Sequence, residues 1–365
     1  MGRQPRQVTL DFSGVAQSDA HAGAHLALSA VACVGDQLWF GADEGTALLR
    51  LTRVAPDRWA DAVPVPLETL LTLPGDADDE IDVEGIDACD GWLWVTGSHG
   101  IRRRKPAKDA PDAERIARLA RTSRRGNRHL VARLPLVAQD DAGRRHDVVR
   151  AVTAADGVVR RAARLPGTRT RDRLTAALRR DAHLAPFLDI PGKDNGFDVE
   201  GLAADGDRLW LGLRGPVLRG RAVVLAVTLD GDADDDTLRL RRASPDGRRY
   251  ERFFLDLFGL GVRELCWHGD DLLVLAGPTM ALGGRCVVVR WRGARRARGD
   301  AMVDRDALTV VHELPYGAGS DEGVEHPEGI TIVPDASPAL LVVHDAPGPR
   351  RVRDAVVLAD AYPLD

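Results

Sequence analysis

One phrase recurs along this chain, and its spacing leaves few folds open. It reads "IDVEGIDACDGWLWVTGSHG" from Ile81 to Gly100 and "FDVEGLAADGDRLWLGLRG" from Phe197 to Gly215. Looser copies read "ALSAVACVGDQLWFGADEG" around Ser29, "GVRELCWHGDDLLVLAGP" around Glu264 and "HPEGITIVPDASPALLVVHD" around Glu328. Each copy is a strand, a polar turn rich in Gly and Asp, and a second strand. Ser29, Glu84, Glu200, Glu264 and Glu328 hold matching places, 55, 116, 64 and 64 residues apart. A unit that cannot bury its apolar face alone must stack on its neighbours. A period of about 60 residues suits a four-stranded antiparallel sheet with its turns, the blade of a β-propeller.

Further strands fall where such blades need them. They are "ALLRLTRV" and "ETLLTLP" after the first anchor, "RHLVARLPLV" and "HDVVRAVTA" after the second, "RAVVLAVTL" and "RFFLDLF" after the third, and "CVVVRW" and "LTVVHELP" after the fourth. Only three strands remain after Glu328, whereas "RQVTLDF" precedes the first anchor with no blade of its own. That N-terminal strand is expected to complete the last blade, which removes the exposed edges an open array would have. The long interval of 116 residues is either a sixth blade without an anchor or an insertion. The insertion is favoured, because "DAERIARLARTS" and "TRDRLTAALRRDAHL" have helical spacing, with Thr170 or Asp172 as N-cap. The expectation is therefore an all-β, five-bladed propeller, with six blades as the alternative. It is one domain over residues 1–365, with a partly helical insertion in blade two within residues 101–190.

Composition narrows the function. The 50 basic and 55 acidic residues give a net charge of −5, no global reason for nucleic acid or an anionic membrane as partner. The basic run "IRRRKPAK" has no interleaved aromatics for base stacking and is expected to be a solvated face of the insertion. The first residues carry no apolar leader, and no window approaches a membrane span, so a cytoplasmic location is expected. Cys33, Cys89, Cys266 and Cys286 are far apart in apolar runs, the pattern of free thiols and not of a zinc site or disulfide framework. No G-x-S-x-G, P-loop, H-E-x-x-H or dinucleotide fingerprint occurs.

The phrases "FDVEGLAADGDRLWLGLRGPVLRGRAVVLAVTL", "LGVRELCWHGDDLLVLAGPTM" and "HPEGI" resemble a bacterial family, the domain of unknown function 3616, over most of the chain. That resemblance brings no established activity. The first copy, "LSAVACVGDQLWFGADEGT", is similar to the first-blade motif of the calcium-activated nucleotidases, the apyrases. This second resemblance implies a five-bladed propeller with a calcium ion in its central channel, ringed by one serine or glutamate from the inner strand of each blade. By motif position the ring would be Ser29, Glu84, Glu200, Glu264 and Glu328. The family's Asp-Asp-Arg-Thr-Gly element stands here as Ala42-Asp43-Glu44-Gly45-Thr46, without its arginine.

Matching places on innermost strands would bring the five anchors toward one axis. Carboxylates roughly 5 to 7 Å apart repel by about 2 to 3 kcal/mol per pair at an effective dielectric near 20, so a cation or protonation must offset the repulsion. An all-oxygen set suits Ca²⁺ or Mg²⁺. The competing expectation is structural: the glutamates accept backbone N–H bonds or pair with arginines such as Arg214 and Arg263. Beyond the Leu-Trp strands, Asp43, Glu44, His99, Arg214 and His344 are expected at one mouth of the channel, with Arg263 and His326 beside the anchors. A cation, arginines and a histidine together suit a small anionic ligand. Three functions follow: a metal-dependent hydrolase of phosphoester or phosphoanhydride bonds, a non-catalytic propeller that binds a ligand or protein around a structural ion, and a glycoside hydrolase using two carboxylates.

Overall fold

The structure is a computed structural model. It describes residues 4–15, 23–76, 79–154, 157–231, 235–244, 246–280, 283–316, 325–335 and 337–364. The architecture is all-β and propeller-like, built from five successive runs of antiparallel strands. The first run is Leu28–Val34, Gln37–Ala42, Ala47–Ala55 and Arg58–Pro66. The second is Val83–Cys89, Trp92–Gly97, Val131–Ala138 and His146–Val148. The third is Asp198–Asp205, Arg208–Leu218, Arg221–Gly231 and Glu251–Asp256. The fourth is Gly261–His268, Asp271–Gly277, Cys286–Trp291 and Leu308–Leu314. The fifth is His326–Val333, Ala339–Asp345 and Val356–Pro363, finished by Arg6–Asp11 from the N-terminus.

That N-terminal strand pairs antiparallel from Arg6↔Ala361 to Asp11↔Val356, as its sequence position requires. It also touches the first run through a short parallel pairing of Thr9 with Arg58 and Leu10 with Trp59, so the fifth and first runs form one continuous sheet. One strand differs from expectation. The outer strand of the first run is Arg58–Pro66, not "ETLLTLP", which begins inside the 3-10 turn Leu67–Thr69. Pro64 and Pro66 argue against a central strand, but an outermost strand tolerates residues that cannot donate to a ladder.

The inner strands follow one another around a ring. The Ser29 strand packs on the Glu84 strand, that on the Glu200 strand, that on the Glu264 strand, that on the Glu328 strand, and the last on the Ser29 strand again. Alternation along each strand feeds two interfaces at once. Leu209, Leu211 and Leu213 join the cluster facing the second run, while Trp210 between them joins the cluster facing the fourth. Five apolar clusters result, each between two successive runs, and the one holding Val8, Leu10, Phe40 and Leu341 closes the fifth run on the first. Trp39, Trp94 and Trp210, from the repeated Leu-Trp strand, are fully buried between runs.

The long second interval holds the expected helices, Asp112–Leu119 and Arg173–Leu178. Asp172 is the N-cap of the second, its carboxylate accepting from the Thr175 N–H at 2.8 Å. Leu174, Leu178, Leu184 and Leu188 of this segment fill the interface between the second and third runs. No helix among the described residues is long and apolar enough to cross a membrane.

Candidate functional site

Every inner strand carries a β-bulge, and the bulge fixes which side chain occupies the anchor place. The residues left out of register are Ser29, Glu84, Glu200, Arg263 and Glu328. In the fourth strand the anchor is therefore Arg263, and Glu264 is a correction to the sequence reading. Glu264 stands where the other strands have Ala30, Gly85, Gly201 and Gly329. Those positions are small because neighbouring inner strands press on them: a Cβ on Gly85 would lie 2.5 Å from Leu202 Cβ. Glu264 is fully buried, and its Oε1 accepts the Leu202 N–H at 3.1 Å and the Leu265 N–H at 2.9 Å, capping the free inner edges of two strands. Burial pushes its carboxyl well above the usual range, against those two backbone bonds.

Arg263 lies between two glutamates. Its Nη1 donates to Glu200 Oε2 at 3.1 Å and also to Glu328 Oε1, while its Nη2 donates to the Pro278 carbonyl at 3.1 Å. Arg214 completes the cluster, with Nη1 on Glu200 Oε1 at 2.5 Å and Nε on the Thr279 carbonyl at 2.8 Å. Burial alone would raise Glu200, but Arg214 and then Arg263 outweigh it and hold its carboxyl below the ordinary range. Ser29 is buried and donates its hydroxyl to the Val83 carbonyl. A five-ligand ion on the axis does not fit this arrangement. The fourth strand presents a guanidinium at the ring, its expected ligand Glu264 points into a backbone cap, and the serine hydroxyl is engaged by a carbonyl.

The opposite half of the site is built differently. Asp43, Asp82 and Glu84 offer carboxylate oxygens all within 4.8 Å of one another. Asp82 is paired with Arg128 at 2.8 Å, and Asp43 Oδ1 is buried with no hydrogen-bond partner. Burial, then Asp82, then Glu200 push Glu84 well above the usual carboxylate range; burial, then Asp82, do the same to Asp43. Burial also raises Asp82, with Arg128 opposing. These oxygen donors, one of them orphaned, fit a hard divalent cation. Such an ion would sit off the axis, held by a residue set that overlaps the expected ring only at Glu84.

Two further acids lie close. Asp198 is pushed up to about 8 by burial and then by Glu200, and Asp345 to about 7 by burial and then by Glu328. Asp198 is wrapped by backbone: a Cβ on Gly100 or Gly192 would come within 2.2 Å of its oxygens. The exposed Lys193, on the turn next to Gly192, acts electrostatically on Asp43, Asp82, Glu200 and Asp345. His326 is half-buried and feels Glu328, and burial lowers its pKa.

The remaining expected site residues go elsewhere. Glu44 is exposed. His99, in the left-handed region at φ 55, turns its ring toward the Asp172 carboxylate at 3.4 Å, with His129 on the other oxygen at 3.8 Å. His344 is buried beside Arg351 and Glu325, its pKa pushed down to about 3, first by burial. Sequence reasoning missed Asp82, Asp198, Arg128 and Lys193. A signal for the first two was present: both strong copies read Asp-Val-Glu-Gly, and the aspartate is buried as deeply as the glutamate.

The chain belongs to the family described as Protein of unknown function (DUF3616), whose match spans residues 27–360. No curated protein matches it. Among solved structures it is similar to virginiamycin B lyase from Staphylococcus aureus, at 12% identity and TM-score 0.35, covering 99% of this chain and 100% of that one. It is similar to exo-beta-1,3-galactanase from Phanerochaete chrysosporium, at 8% identity and TM-score 0.43, covering 100% of this chain and 65% of that one. It is also similar to PQQ-bound aldose sugar dehydrogenase from Streptomyces coelicolor, at 11% identity and TM-score 0.36, covering 99% and 100%. Likeness at this level carries no chemistry.

Proposed function

We propose that the five strand runs are the blades of one closed five-bladed propeller over residues 1–365, with the insertion of blade two inside residues 101–190. We further propose that its channel mouth binds Ca²⁺ or Mg²⁺ at Asp43, Asp82 and Glu84 and takes a small anionic molecule beside it. The observation that carries this reading is the carboxylate trio, with Asp82 and Glu84 buried and Asp43 half-buried, oxygens within 4.8 Å and an orphaned Asp43 Oδ1. At that separation each ionised pair repels by roughly 3 kcal/mol at an effective dielectric near 20, and the single guanidinium of Arg128 cannot balance three charges. A bound divalent ion would neutralise the trio and polarise a phosphoryl oxygen, so phosphoester hydrolysis is the reaction this site suits. Lys193 would meet the ligand's negative charge from the exposed side. His326, kept neutral by burial, would offer a ring nitrogen to a proton in transit.

One observation favours a second reading, a non-catalytic binding propeller with a structural ion. Arg214 and Arg263, expected to grip the substrate, already spend their hydrogen bonds on Glu200, Glu328 and two carbonyls. Asp198, raised to about 8, beside the ionised Glu200 also has the split of protonation that an acid–base carboxylate pair needs, so glycosides belong in the same screen. The test is calorimetric titration of EDTA-treated protein with Ca²⁺ and Mg²⁺, on wild type and Asp43→Asn, followed by a turnover screen on phosphoesters, nucleotides and glycosides. Saturable binding lost in Asp43→Asn supports the ion site, and metal-dependent phosphate release supports the hydrolase. Binding without turnover selects the second reading. Absence of binding to wild type removes both.

A further inference from the structure

The basic run of the insertion has a shape that its sequence did not disclose. Between residues 101 and 128 there are eleven lysines and arginines against three acids, a net of +8, in a chain whose total is −5. The rest of the molecule therefore carries −13. The charge is gathered on one lobe: Arg102–Arg103 pairs antiparallel with Thr122–Ser123, and the helix Asp112–Leu119 lies in the connection between them. No residue of this helix is buried, and Ile116 and Leu119 are 68% and 45% exposed. Ala113, Ile116, Ala117 and Ala120 fall at helical spacing on one apolar stripe, which nothing among the described residues covers.

The lobe is tied down by polar contacts rather than by a core of its own. Arg103 Nε donates to Asp194 Oδ2 at 2.6 Å and its Nη1 to the Leu119 carbonyl, while Arg118 Nε donates to the Lys105 carbonyl at 3.0 Å. Other cations of the lobe are paired with the body: Arg124 with Asp189, Arg125 with Asp79. Arg104, Lys105, Lys108 and Arg121 make no ion pair among the described residues. A short helix that is marginal by itself is thus held in place with its apolar stripe outward and unpaired cations beside it.

We propose that this lobe docks the protein on an anionic membrane surface, with Ile116 and Leu119 at the acyl boundary and Arg104, Lys105, Lys108 and Arg121 on lipid phosphates. Exposed apolar side chains flanked by cations on a helix are what an interfacial segment needs. The opposite charge of the body would turn the lobe toward the surface. Single-stranded nucleic acid is the less suited partner, because no aromatic residue lies between 101 and 128 to stack on a base. Asp194, which holds Arg103, adjoins Lys193, so docking would set the channel mouth close to the bilayer. The proposal does not depend on the ion site.

The test is flotation of the full chain with vesicles of phosphatidylcholine alone and of phosphatidylcholine with a third phosphatidylglycerol, at low and high salt. Two variants accompany wild type, Ile116→Ser with Leu119→Ser and Arg104→Glu with Lys105→Glu. All four residues are exposed or lie outside the core, so unchanged thermal unfolding will certify the fold. Wild type is expected to float only with the anionic vesicles and to lose binding in high salt. Each double variant is expected to bind at least about tenfold more weakly, since one interfacial cation changes partition on the order of fivefold. Failure of wild type to float, or wild-type binding by the Ile116→Ser, Leu119→Ser protein, would overturn the proposal. So would binding of RNA or polyglutamate by a protein that ignores the vesicles.

Discussion

The two halves of the site carry the same residue on the same bulge and treat it in opposite ways. Glu200 lies between Arg214 and Arg263 and is held ionised. Glu84, on the neighbouring inner strand, faces Asp43 and Asp82 and is driven toward its protonated form, first by burial. Backbone geometry is therefore not what decides the state of a buried carboxylate; the partner brought by the next strand is. The fourth strand brings a guanidinium to the place where a central ion would sit, which neutralises one half from within. The other half is left to protons or to a cation from solution.

The sharpest way to break this comparison is to remove the internal cation. Arg263→Met would leave Glu328 without its guanidinium and Glu200 with Arg214 alone, and loss of one partner from a buried ion pair costs about 3 to 5 kcal/mol. Denaturant unfolding of the metal-free variant should show that loss. Millimolar Ca²⁺ should recover part of it, because the emptied place is then lined by carboxylates. A loss below about 1 kcal/mol would mean that the paired half is not electrostatically distinct.

The acidic half should respond to metal by a somewhat smaller amount. At a free Ca²⁺ concentration a hundred times the dissociation constant, wild type gains about 2.7 kcal/mol, read as a rise in thermal midpoint. Glu84→Gln should abolish the rise and change the stability of the metal-free protein by less than about 1 kcal/mol, since burial already disfavours the charged form of Glu84. If Glu84→Gln keeps the full rise, the ion is bound elsewhere.

Proton linkage gives a third contrast. Asp198 and Asp345 titrate at about 8 and about 7 in the folded chain, far above their unfolded values, so the folded state holds more protons in between. Their contribution to stability is complete at low pH and declines as pH rises through that window, at about 1.4 kcal/mol per pH unit for each extra proton held. Glu200 has the opposite sign: its folded pKa is lowered, so its contribution is present above the unfolded value and is lost as pH falls below it. His344, pushed down to about 3, opposes one of these protons up to its unfolded value near about 6.5, so the metal-free protein should weaken mainly between about pH 6.5 and 8. Saturating Ca²⁺ should flatten the alkaline limb by replacing protons in the acidic half. Stability that is flat or rising from about pH 6.5 to 8 in the metal-free protein would contradict the raised values.

Much of this was legible in the repeated phrase, and the parts that were not share a cause. The strand–turn–strand units, the helix capped by Asp172 and the closure by Arg6–Asp11 all follow from local patterns: period-two burial, turn residues and a strand with no other partner. The outer strand Arg58–Pro66 was hidden because two prolines disguise it, and only its edge position makes them tolerable. At the site, matching letters put Glu264 beside Glu84 and Glu200, whereas the bulge counts positions and puts Arg263 there. Lys193 was out of reach for a different reason. Its place near these carboxylates depends on how the end of the insertion folds back before the third run.

The register correction itself predicts the smallest effect. Glu264 Oε1 accepts two backbone N–H groups, and burial pushes its carboxyl well above the usual range. Glutamine offers the same carbonyl acceptor in the same volume, and the charge it removes is one that burial already disfavours. Glu264→Gln should therefore shift stability by less than about 1 kcal/mol and leave the Ca²⁺-dependent rise intact. Glu264→Ala should be worse by about 1 to 3 kcal/mol, because two inner-edge N–H groups then lose their acceptor in a place water does not reach. The pair of variants separates a backbone cap from a ligand: a ligand would lose metal binding in both, a cap loses stability only when the acceptor is gone. Loss of the metal response in Glu264→Gln would return Glu264 to the ring and the fourth strand to its sequence register.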